Sequence, residues 1–323
     1  MGTGYGLAQQ INKIIQKHLL KFIRVIRLGP RFFIALGEKK QQKCVLKINL
    51  YERTISQDCR THNVHLAKEI YFLEYLNKQN KYPFIKKSVP QIIDSRPTSE
   101  RVWYLKSYDE GKFQNLRQSN FLYQKNFFNE TNLNWVVKFF SELHQLSLTA
   151  PKSFKKIFHH HQLKDYLNLI NGQRVRKILG RQLNDIYRFL MKRQSIFDHN
   201  QKALTHFEPY PVHFIKKAKG FVIIDWENVG WGNSAHDLGV VWLRAFTHKN
   251  WRDQLAKKFA LSTPLKNHWW ELFKVEIVVQ AMANLPYLSG TTDSDEKKRA
   301  KKIISFMKQQ IDLIVKDRFY HDR

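Results

Sequence analysis

Cysteine is almost absent from this sequence, with only Cys44 and Cys59 among 323 residues. No zinc-type spacing of Cys and His surrounds either residue, which disfavours a cysteine-based zinc centre. So little cysteine is typical of a reduced, intracellular protein, and we expect a cytoplasmic location.

Long apolar runs are also missing. No stretch is apolar for long enough to span a bilayer, and the N-terminus lacks the uninterrupted apolar core of a signal peptide. The opening MGTGYG places Gly6 where a myristoylation signal requires Ser or Thr. We therefore expect no transmembrane segment. Residues 11–28 predict a short helix leading into a strand, and a basic amphipathic membrane helix is the alternative.

Acidic residues are the third shortage, with 27 Asp and Glu against 55 Lys and Arg and a formal net charge of +28. Such a field favours anionic partners, namely nucleotides, nucleic acid or an anionic membrane surface. A general compositional habit is the alternative explanation, because Lys, Asn, Gln and Ile are abundant everywhere. No helix-turn-helix, zinc-finger or RNA-recognition pattern accompanies the charge, which supports only nonspecific, salt-sensitive binding to anionic surfaces.

Apolar residues, in contrast, make up 43% of the sequence and aromatic residues 14%, which predicts a compact globular protein. Strand-like runs cover residues 24–50 and are separated by a Gly29-Pro30 turn and a polar EKKQQ turn. Residues 65–76 have helical spacing, and two further strand-like runs end near Gly111. This part of the chain predicts a small antiparallel sheet with one packed helix.

Helical periodicity dominates after Gly111, notably in residues 132–146 and 164–194 and in three stretches beyond residue 239. We therefore predict an α+β fold of two lobes. The first lobe, residues 1–107, is β-rich, and the second, residues 108–323, is larger and mainly helical.

The most informative stretch is residues 204–239, LTHFEPYPVHFIKKAKGFVIIDWENVGWGNSAHDLG. Its polar landmarks, in order, are His206, Glu208, His213, Asp225 and Asp237. This order resembles the pattern H-x-D-x-x-x-x-N, short hairpin, I-D-W-E and later D-L of the aminoglycoside phosphotransferase and choline kinase family. The chain is similar to a divergent member of that family from about residue 20 to residue 245.

The resemblance implies a two-lobed protein-kinase-like fold whose first lobe binds a nucleotide, ATP or GTP, together with Mg²⁺ or Mn²⁺. It also implies that Lys47, in V-L-K-I, pairs with Glu69 to orient the phosphates. Because Asp225 ends the apolar strand FVII, its carboxylate is the predicted magnesium ligand.

The loop over the phosphates would lie at RLGPRFF, where Gly29 is the predicted nucleotide-contacting glycine. Pro30 removes one backbone donor from this loop. Arg27 and Arg31 are therefore predicted to share in binding the phosphates.

The catalytic loop departs from the family pattern at two positions. Glu208 replaces the catalytic Asp. We predict that Glu208 and His206 are the catalytic residues. The extra methylene of Glu208 predicts weak or altered activity. His213 replaces the metal-binding Asn and remains a predicted metal ligand, in which the chain resembles the macrolide kinase branch. Phe207 and Val212 add bulk where Gly is usual. The alternative function is a pseudokinase or basic module that binds nucleotide or another anion without turnover.

The predicted acceptor is a small hydroxylated molecule, neutral or anionic. Residues 241–323, which shape the acceptor pocket in the resembling family, hold sixteen Lys and Arg against nine Asp and Glu, so a polycationic aminoglycoside is disfavoured. Aromatic side chains in this region are predicted to be mostly core, with stacking on a ring of the acceptor as the alternative. They are Trp242, Trp251, Trp269, Trp270 and Tyr287.

Three further features are predicted to be structural. His144, in S-E-L-H-Q-L, is expected to be a packed, hydrogen-bonded histidine, and Asp237 is expected to brace the catalytic loop. The triplet at residues 159–161 is assigned to a linker or helix start, because three consecutive histidines do not converge on one ion in a helix or a strand.

Overall fold

A computed structural model describes residues 3–50, 57–98, 101–116, 121–170, 172–266, 268–291 and 294–319. The chain divides into two compact units, residues 1–112 with 217–228, and residues 113–216 with 229–323. The functional division between residues 107 and 108 that the sequence favours stays a prediction.

The first unit contains a five-stranded antiparallel sheet in the order β1-β2-β3-β5-β4. Its strands are β1 Lys21–Leu28, β2 Phe32–Lys39, β3 Gln42–Asn49, β4 Ile92–Arg96 and β5 Trp103–Ser107. The β2–β3 hairpin turns at Lys40 and Gln41, which both have positive φ, as the predicted polar turn requires. The central position of β3 puts its side chains in the best-covered part of the sheet.

Helices cover both faces of this sheet. Helix α1, Thr3–His18, packs Ile14 into a cluster with alternate residues of the strands, including Ala35, Leu46 and Leu105. Helix α2, Gln57–Asn77, packs Leu66 and Ile70 on the opposite face. The sequence predicted that α2 packs on the sheet, and α1 covers the opposite face of the sheet. Residues 11–28 are thus a helix followed by a strand, as expected.

Two short helical segments and one strand are the remaining described elements of the first unit. Helix α3 spans Pro83–Lys87, β9 spans Phe221–Ile223, and a 3-10 helix spans Trp226–Asn228. Trp226 is fully buried and lies 4.9 Å from Phe72 of α2 between ring centroids. Helix α2 therefore anchors the segment that follows Ile223.

The second unit is mainly helical. Its helices are α4 Glu130–Leu148, α5 Phe154–Ile157, α6 Leu163–Ile170, α7 Gln173–Leu179, α8 Gln182–His199, α9 His236–Arg244, α10 Lys249–Ser262, α11 Trp269–Ser289 and α12 Ser294–Val315. Strands β7 Ala203–Thr205 and β10 Gly230–Gly232 form an antiparallel pair. Short strands β6 Lys112–Phe113 and β8 Phe214–Lys216 and two 3-10 helices, Lys125–Phe127 and Pro211–His213, complete the described elements.

Large aromatic side chains form much of the core of this unit. Trp242, Trp251 and Trp269 are buried, Trp270 is half-buried, and Tyr287 is 67% exposed. The prediction that most of these aromatics are core is confirmed, and Tyr287 is the exception.

The α+β architecture, with a small antiparallel sheet and a larger helical part, is confirmed. Among the described residues, every helix is too short or too polar to span a bilayer. Cys44 is a buried free thiol, whereas the side chain of Cys59 lies outside the described part of the chain.

Candidate functional site

Lys47 lies on the central strand β3 and is buried beside three carboxylates. Its Nζ donates to Glu69 Oε2 at 2.9 Å, Asp225 Oδ1 at 3.1 Å and Glu227 Oε2 at 3.3 Å. The other Glu69 oxygen accepts hydrogen bonds from the Tyr104 hydroxyl and the Trp226 amide, at 3.2 and 3.3 Å. Glu69 is therefore fixed by three groups of the first unit.

The two other carboxylates follow strand β9 and differ in exposure. Asp225 has a φ of +68° and a side chain that is 36% exposed, whereas the Glu227 side chain is 6% exposed. Glu227 also pairs with Arg31, at 3.1 Å. One carboxylate oxygen from each of Glu69, Asp225 and Glu227 lies within 4.8 Å of the other two.

Electrostatics keep Lys47 charged in this buried position. Burial lowers its pKa, but Glu69, Asp225, Tyr104 and Glu227 outweigh this effect and raise the pKa well above its ordinary value. Burial also raises the pKa of Glu69, against the opposing effect of Lys47. The three carboxylates supply oxygen ligands of the kind that a hard divalent cation prefers, and Lys68 and Lys106 are further cations that act on them.

Gly29 lies in the turn between β1 and β2. Its amide donates to the Phe32 carbonyl at 3.0 Å, so this N–H closes the turn. Pro30 has no amide hydrogen. Contact of Gly29 with a nucleotide stays a prediction. Arg31 of the same turn pairs with Glu227 of the cluster.

In the second unit, Asp237 of α9 holds the loop that carries Glu208. Its two carboxylate oxygens accept from the backbone amides of His206 and Phe207, at 2.9 and 3.0 Å. Phe207 has a φ of +69°, a conformation that non-glycine residues rarely adopt. Burial raises the pKa of Asp237 to about 6, against the effects of His236 and the two amides.

The predicted catalytic and metal-binding residues of this loop contact one another. The Glu208 amide donates to His206 Nδ1 at 3.3 Å, and His213 Nδ1 lies 2.6 Å from the Glu208 carbonyl. Because a carbonyl only accepts, His213 carries its proton on Nδ1, and the neutral ring has its lone pair on Nε2. His206 is completely buried, whereas Glu208 is half-buried.

A buried ion pair that the sequence did not predict lies behind this loop. His236 Nδ1 is 2.9 Å from Glu276 Oε2 of α11, and His236 Nε2 donates to the Phe207 carbonyl at 3.3 Å. Burial lowers the pKa of His236, but Glu276 outweighs it and the pKa is raised. The Asn233 side chain donates to the other Glu276 oxygen. These contacts hold the carbonyl of Phe207, whereas Asp237 holds its amide.

The model of the phosphotransferase enzyme family matches residues 35–269, most of the chain. The chain belongs to the phosphotransferase enzyme family. The matched residues include Lys47 with its three carboxylate partners and the loop that carries Glu208. No significant match was found among curated proteins.

Solved structures confirm the kinase-like fold of this phosphotransferase. Choline kinase LicA from Streptococcus pneumoniae is 13% identical, with a TM-score of 0.57 over 94% of this chain and 99% of that chain. The GDP complex of aminoglycoside 2'-phosphotransferase-IIIa is also 13% identical, with a TM-score of 0.56 over 97% and 99%. Macrolide 2'-phosphotransferase MphH from Brachybacterium faecium is 14% identical, with a TM-score of 0.54 over 91% and 97%. At sequence identities this low, the comparison shows a shared fold and nothing more specific.

All the site residues predicted from sequence except Gly29 thus lie in two clusters, each within its own unit. Lys47, Glu69 and Asp225 are in mutual contact in the first unit, and the loop with His206, Glu208 and His213 is in the second. Sequence reasoning missed Glu227, although its place two residues after Asp225 in I-D-W-E was a usable signal. It also missed the pair between His236 and Glu276, for which no local signal exists.

The prediction that His144 is hydrogen-bonded is wrong for the described residues. His144 is buried in α4 as expected, but neither ring nitrogen has a hydrogen-bond partner among the described residues. Its ring lies edge-on to that of Phe259 of α10, with centroids 5.5 Å apart. Burial lowers the pKa of His144 to about 3, so the ring stays neutral.

Proposed function

We propose that this phosphotransferase moves the γ-phosphoryl group of ATP or GTP to a hydroxyl of a small neutral or anionic molecule, with Mg²⁺ or Mn²⁺. The observation that carries the proposal is the buried Lys47 held at 2.9–3.3 Å by Glu69, Asp225 and Glu227. A structural ion pair needs one carboxylate, whereas a site for a cation and a triphosphate needs several charged groups of both signs.

In this proposal Lys47 neutralises phosphate charge, and Glu69 holds Lys47 in position. Asp225 is the cation ligand, because it is the most exposed carboxylate of the cluster. The bound nucleotide with its cation supplies the transferable phosphoryl group. His213 is the second proposed ligand, supported by a Nδ1 proton held by the Glu208 carbonyl, an arrangement common in metal-binding histidines.

Glu208 is the proposed base that accepts the proton of the acceptor hydroxyl. Its backbone is positioned by His206, whose Nδ1 accepts the Glu208 amide hydrogen. The complete burial of His206 supports a positioning role rather than contact with substrate. Asp237 accepts from the backbone amide of the intervening residue, Phe207, and His236 donates to its carbonyl.

The proposed acceptor site is a shallow, open groove in the second unit with a cavity volume of about 40 Å³, lined by Phe121, Tyr287, Arg299 and neighbouring residues. Arg244 links this groove to the catalytic loop. Its guanidinium lies 4.5 Å from the centre of the Phe121 ring and 4.0 Å from that of Tyr210. The exposed ring of Tyr287 is available to stack on a ring of the acceptor.

The test is a panel of hydroxylated acceptors with γ-labelled ATP and GTP, run with Mg²⁺ and with Mn²⁺. We expect labelled product from the wild type and none from Asp225→Ala. Glu208→Gln should lower transfer roughly 10²-fold or more while changing nucleotide affinity by less than about twofold. Equal loss of affinity and turnover in Glu208→Gln would contradict the role of Glu208 as base.

A second candidate function is nucleotide binding without turnover. The replacements at Glu208 and His213 favour it, because both alter the groups nearest the chemistry. It predicts that ATP with Mg²⁺ raises the melting temperature of the wild type while no acceptor is labelled. Absence of any thermal shift at millimolar nucleotide would contradict both candidates.

A further inference from the structure

A second group of metal-type side chains lies in the second unit, apart from the Lys47 cluster. It consists of His159, His161 and Asp165, whose nearest donor atoms all lie within 4.8 Å of one another. His159 Nε2 and Asp165 Oδ2 are 3.2 Å apart. The two atoms are within hydrogen-bond distance, and their separation is also close to the edge of a tetrahedron around an ion with bonds of about 2.0 Å, the geometry that zinc adopts with imidazole and carboxylate ligands.

The local backbone explains why two of the three consecutive histidines converge. Residues 159–161 are extended, and they pair with Trp231, which donates to the His159 carbonyl at 2.8 Å and accepts from the His161 amide at 3.0 Å. Alternate side chains of an extended segment share a face. His160, between them, stacks instead on the Trp231 indole, with a centroid separation of 5.6 Å.

The third ligand comes from the first turn of α6. Asp165 Oδ2 accepts the Gln162 amide at 2.9 Å, a backbone contact that orients the carboxylate towards His159. Ligating carboxylates in proteins are commonly held by such hydrogen bonds. The triplet lies outside regular helices and strands, which agrees with its assignment to a linker or helix start. The expectation that its histidines do not converge is wrong for His159 and His161, whose ring nitrogens lie close to Asp165.

We propose that His159, His161 and Asp165 bind a divalent transition metal of the zinc class. Two imidazole nitrogens and one carboxylate oxygen provide three ligands, and solvent supplies the fourth, since the His159 and Asp165 side chains are 58% and 33% exposed. The oxygen-only cluster around Lys47 suits harder cations, so the two sites differ in metal preference.

The position of the site connects it to the catalytic loop. The His161 ring stacks on Phe207 with a centroid separation of 3.7 Å, and Phe207 lies between His206 and Glu208. A metal that fixes His161 therefore restrains the side chain of Phe207. The metal site itself does not depend on the proposed phosphotransfer, since its evidence is confined to residues 159–165 and their neighbours.

The test is zinc titration of untagged full-length protein against a chromophoric chelator, in excess Mg²⁺ to occupy oxygen-rich sites. We expect one zinc per chain, and a weakening of at least ~10-fold in His159→Ala and in His161→Ala. His160→Ala is the matched control and should keep wild-type affinity within about threefold. Cobalt in place of zinc should give the intense visible absorption of a tetrahedral site.

Circular dichroism and melting temperature without metal establish that each variant is folded. Unchanged zinc affinity in His159→Ala and His161→Ala, or equal loss in His160→Ala, would overturn the site. Amide hydrogen exchange of residues 204–213 provides a second readout, and we expect zinc to slow it in the wild type but not in His161→Ala. Exchange that zinc leaves unchanged would overturn the link to the loop.

Discussion

Lys47 and Glu69 show how single residues determine the stability of the first unit. Replacing Lys47 with Met leaves the carboxylate of Glu69, 1% exposed, without its cation. Breaking a buried pair from one side costs roughly 3–5 kcal/mol. We expect a loss of this size in the free energy of unfolding, measured by urea denaturation at neutral pH.

The double variant Lys47→Met with Glu69→Gln is the control for this prediction. The Glu69→Gln change would remove the uncompensated charge and keep an oxygen for the Tyr104 hydroxyl and the Trp226 amide. The double variant should therefore be more stable than Lys47→Met alone. If it is less stable, charge burial is not the cause of the destabilisation.

His144 makes helix α4 sensitive to acid. Its folded pKa of about 3 lies below the ordinary value of 6.5 that applies in the unfolded chain. As the pH falls below 6.5, the unfolded state takes up a proton that the folded state does not, so stability is lost between pH 6.5 and about 3. At pH 5 the loss from this residue is about 2 kcal/mol, at 1.36 kcal/mol per pH unit.

His144→Leu should remove this contribution. Because neither ring nitrogen of His144 has a partner among the described residues, the substitution leaves no hydrogen bond unmade there. We expect equal or higher stability at pH 7.5 and a smaller drop to pH 5, measured by denaturant titration at both pH values. Parallel losses in wild type and variant would show that other groups cause the acid sensitivity.

The β7–β10 pair is the second element whose packing can be tested. A Cβ added at Gly232 would lie 2.9 Å from Thr205 Oγ1 and 3.1 Å from Phe207 Cζ, both on buried residues. Such overpacking costs typically about 1–3 kcal/mol. Gly232→Ala should therefore destabilise the protein and, through Thr205 and Phe207, lower transfer more than nucleotide binding.

Gly37→Ala on β2 is the matched control, because its added Cβ would meet no atom closer than 3.5 Å. Adding Thr205→Ala to Gly232→Ala removes the nearest clash, so the double variant should lose less stability than the two single variants summed. Melting curves and urea titrations of the four variants measure these differences. Strict additivity would contradict the steric explanation.

Local patterns predicted most elements but not their long-range partners. The turns at Gly29-Pro30 and at EKKQQ predicted β2 and β3, and helical spacing predicted α4 and α9. Helix α10 was missed although Trp251, Leu255 and Phe259 already have the spacing of a buried helix face. The motif order predicted the pairing of Lys47 with Glu69, which the structure contains.

Contacts between residues far apart in the chain could not be predicted from local sequence patterns. Glu227 is 180 positions from Lys47 and Glu276 is 40 positions from His236, and no periodicity relates either pair. His159 and His161 needed an extended backbone, set by pairing with Trp231, before they could share a face. In each case tertiary structure, rather than spacing along the chain, brings the charged groups together.

At the scale of the whole molecule, the net charge of +28 predicts binding to polyanions that weakens steeply with salt. We interpret the charge as a solvated basic shell rather than a dedicated patch. Heparin affinity measured from low to high salt should therefore fall linearly on a double-logarithmic plot, without preference for nucleic-acid sequence when DNA is used instead.

Two charge-matched variants separate a basic shell from a patch. One replaces four clustered, exposed lysines of α12 with Gln, namely Lys297, Lys298, Lys301 and Lys302. The other replaces four dispersed, exposed lysines, namely Lys40, Lys78, Lys202 and Lys219. Both variants lose four positive charges, and the long-range potential follows the net charge. If the charge is a solvated shell, heparin affinity and its dependence on salt should therefore fall equally in the two variants. A much larger loss in the α12 variant would instead identify that helix as a specific anion-binding surface.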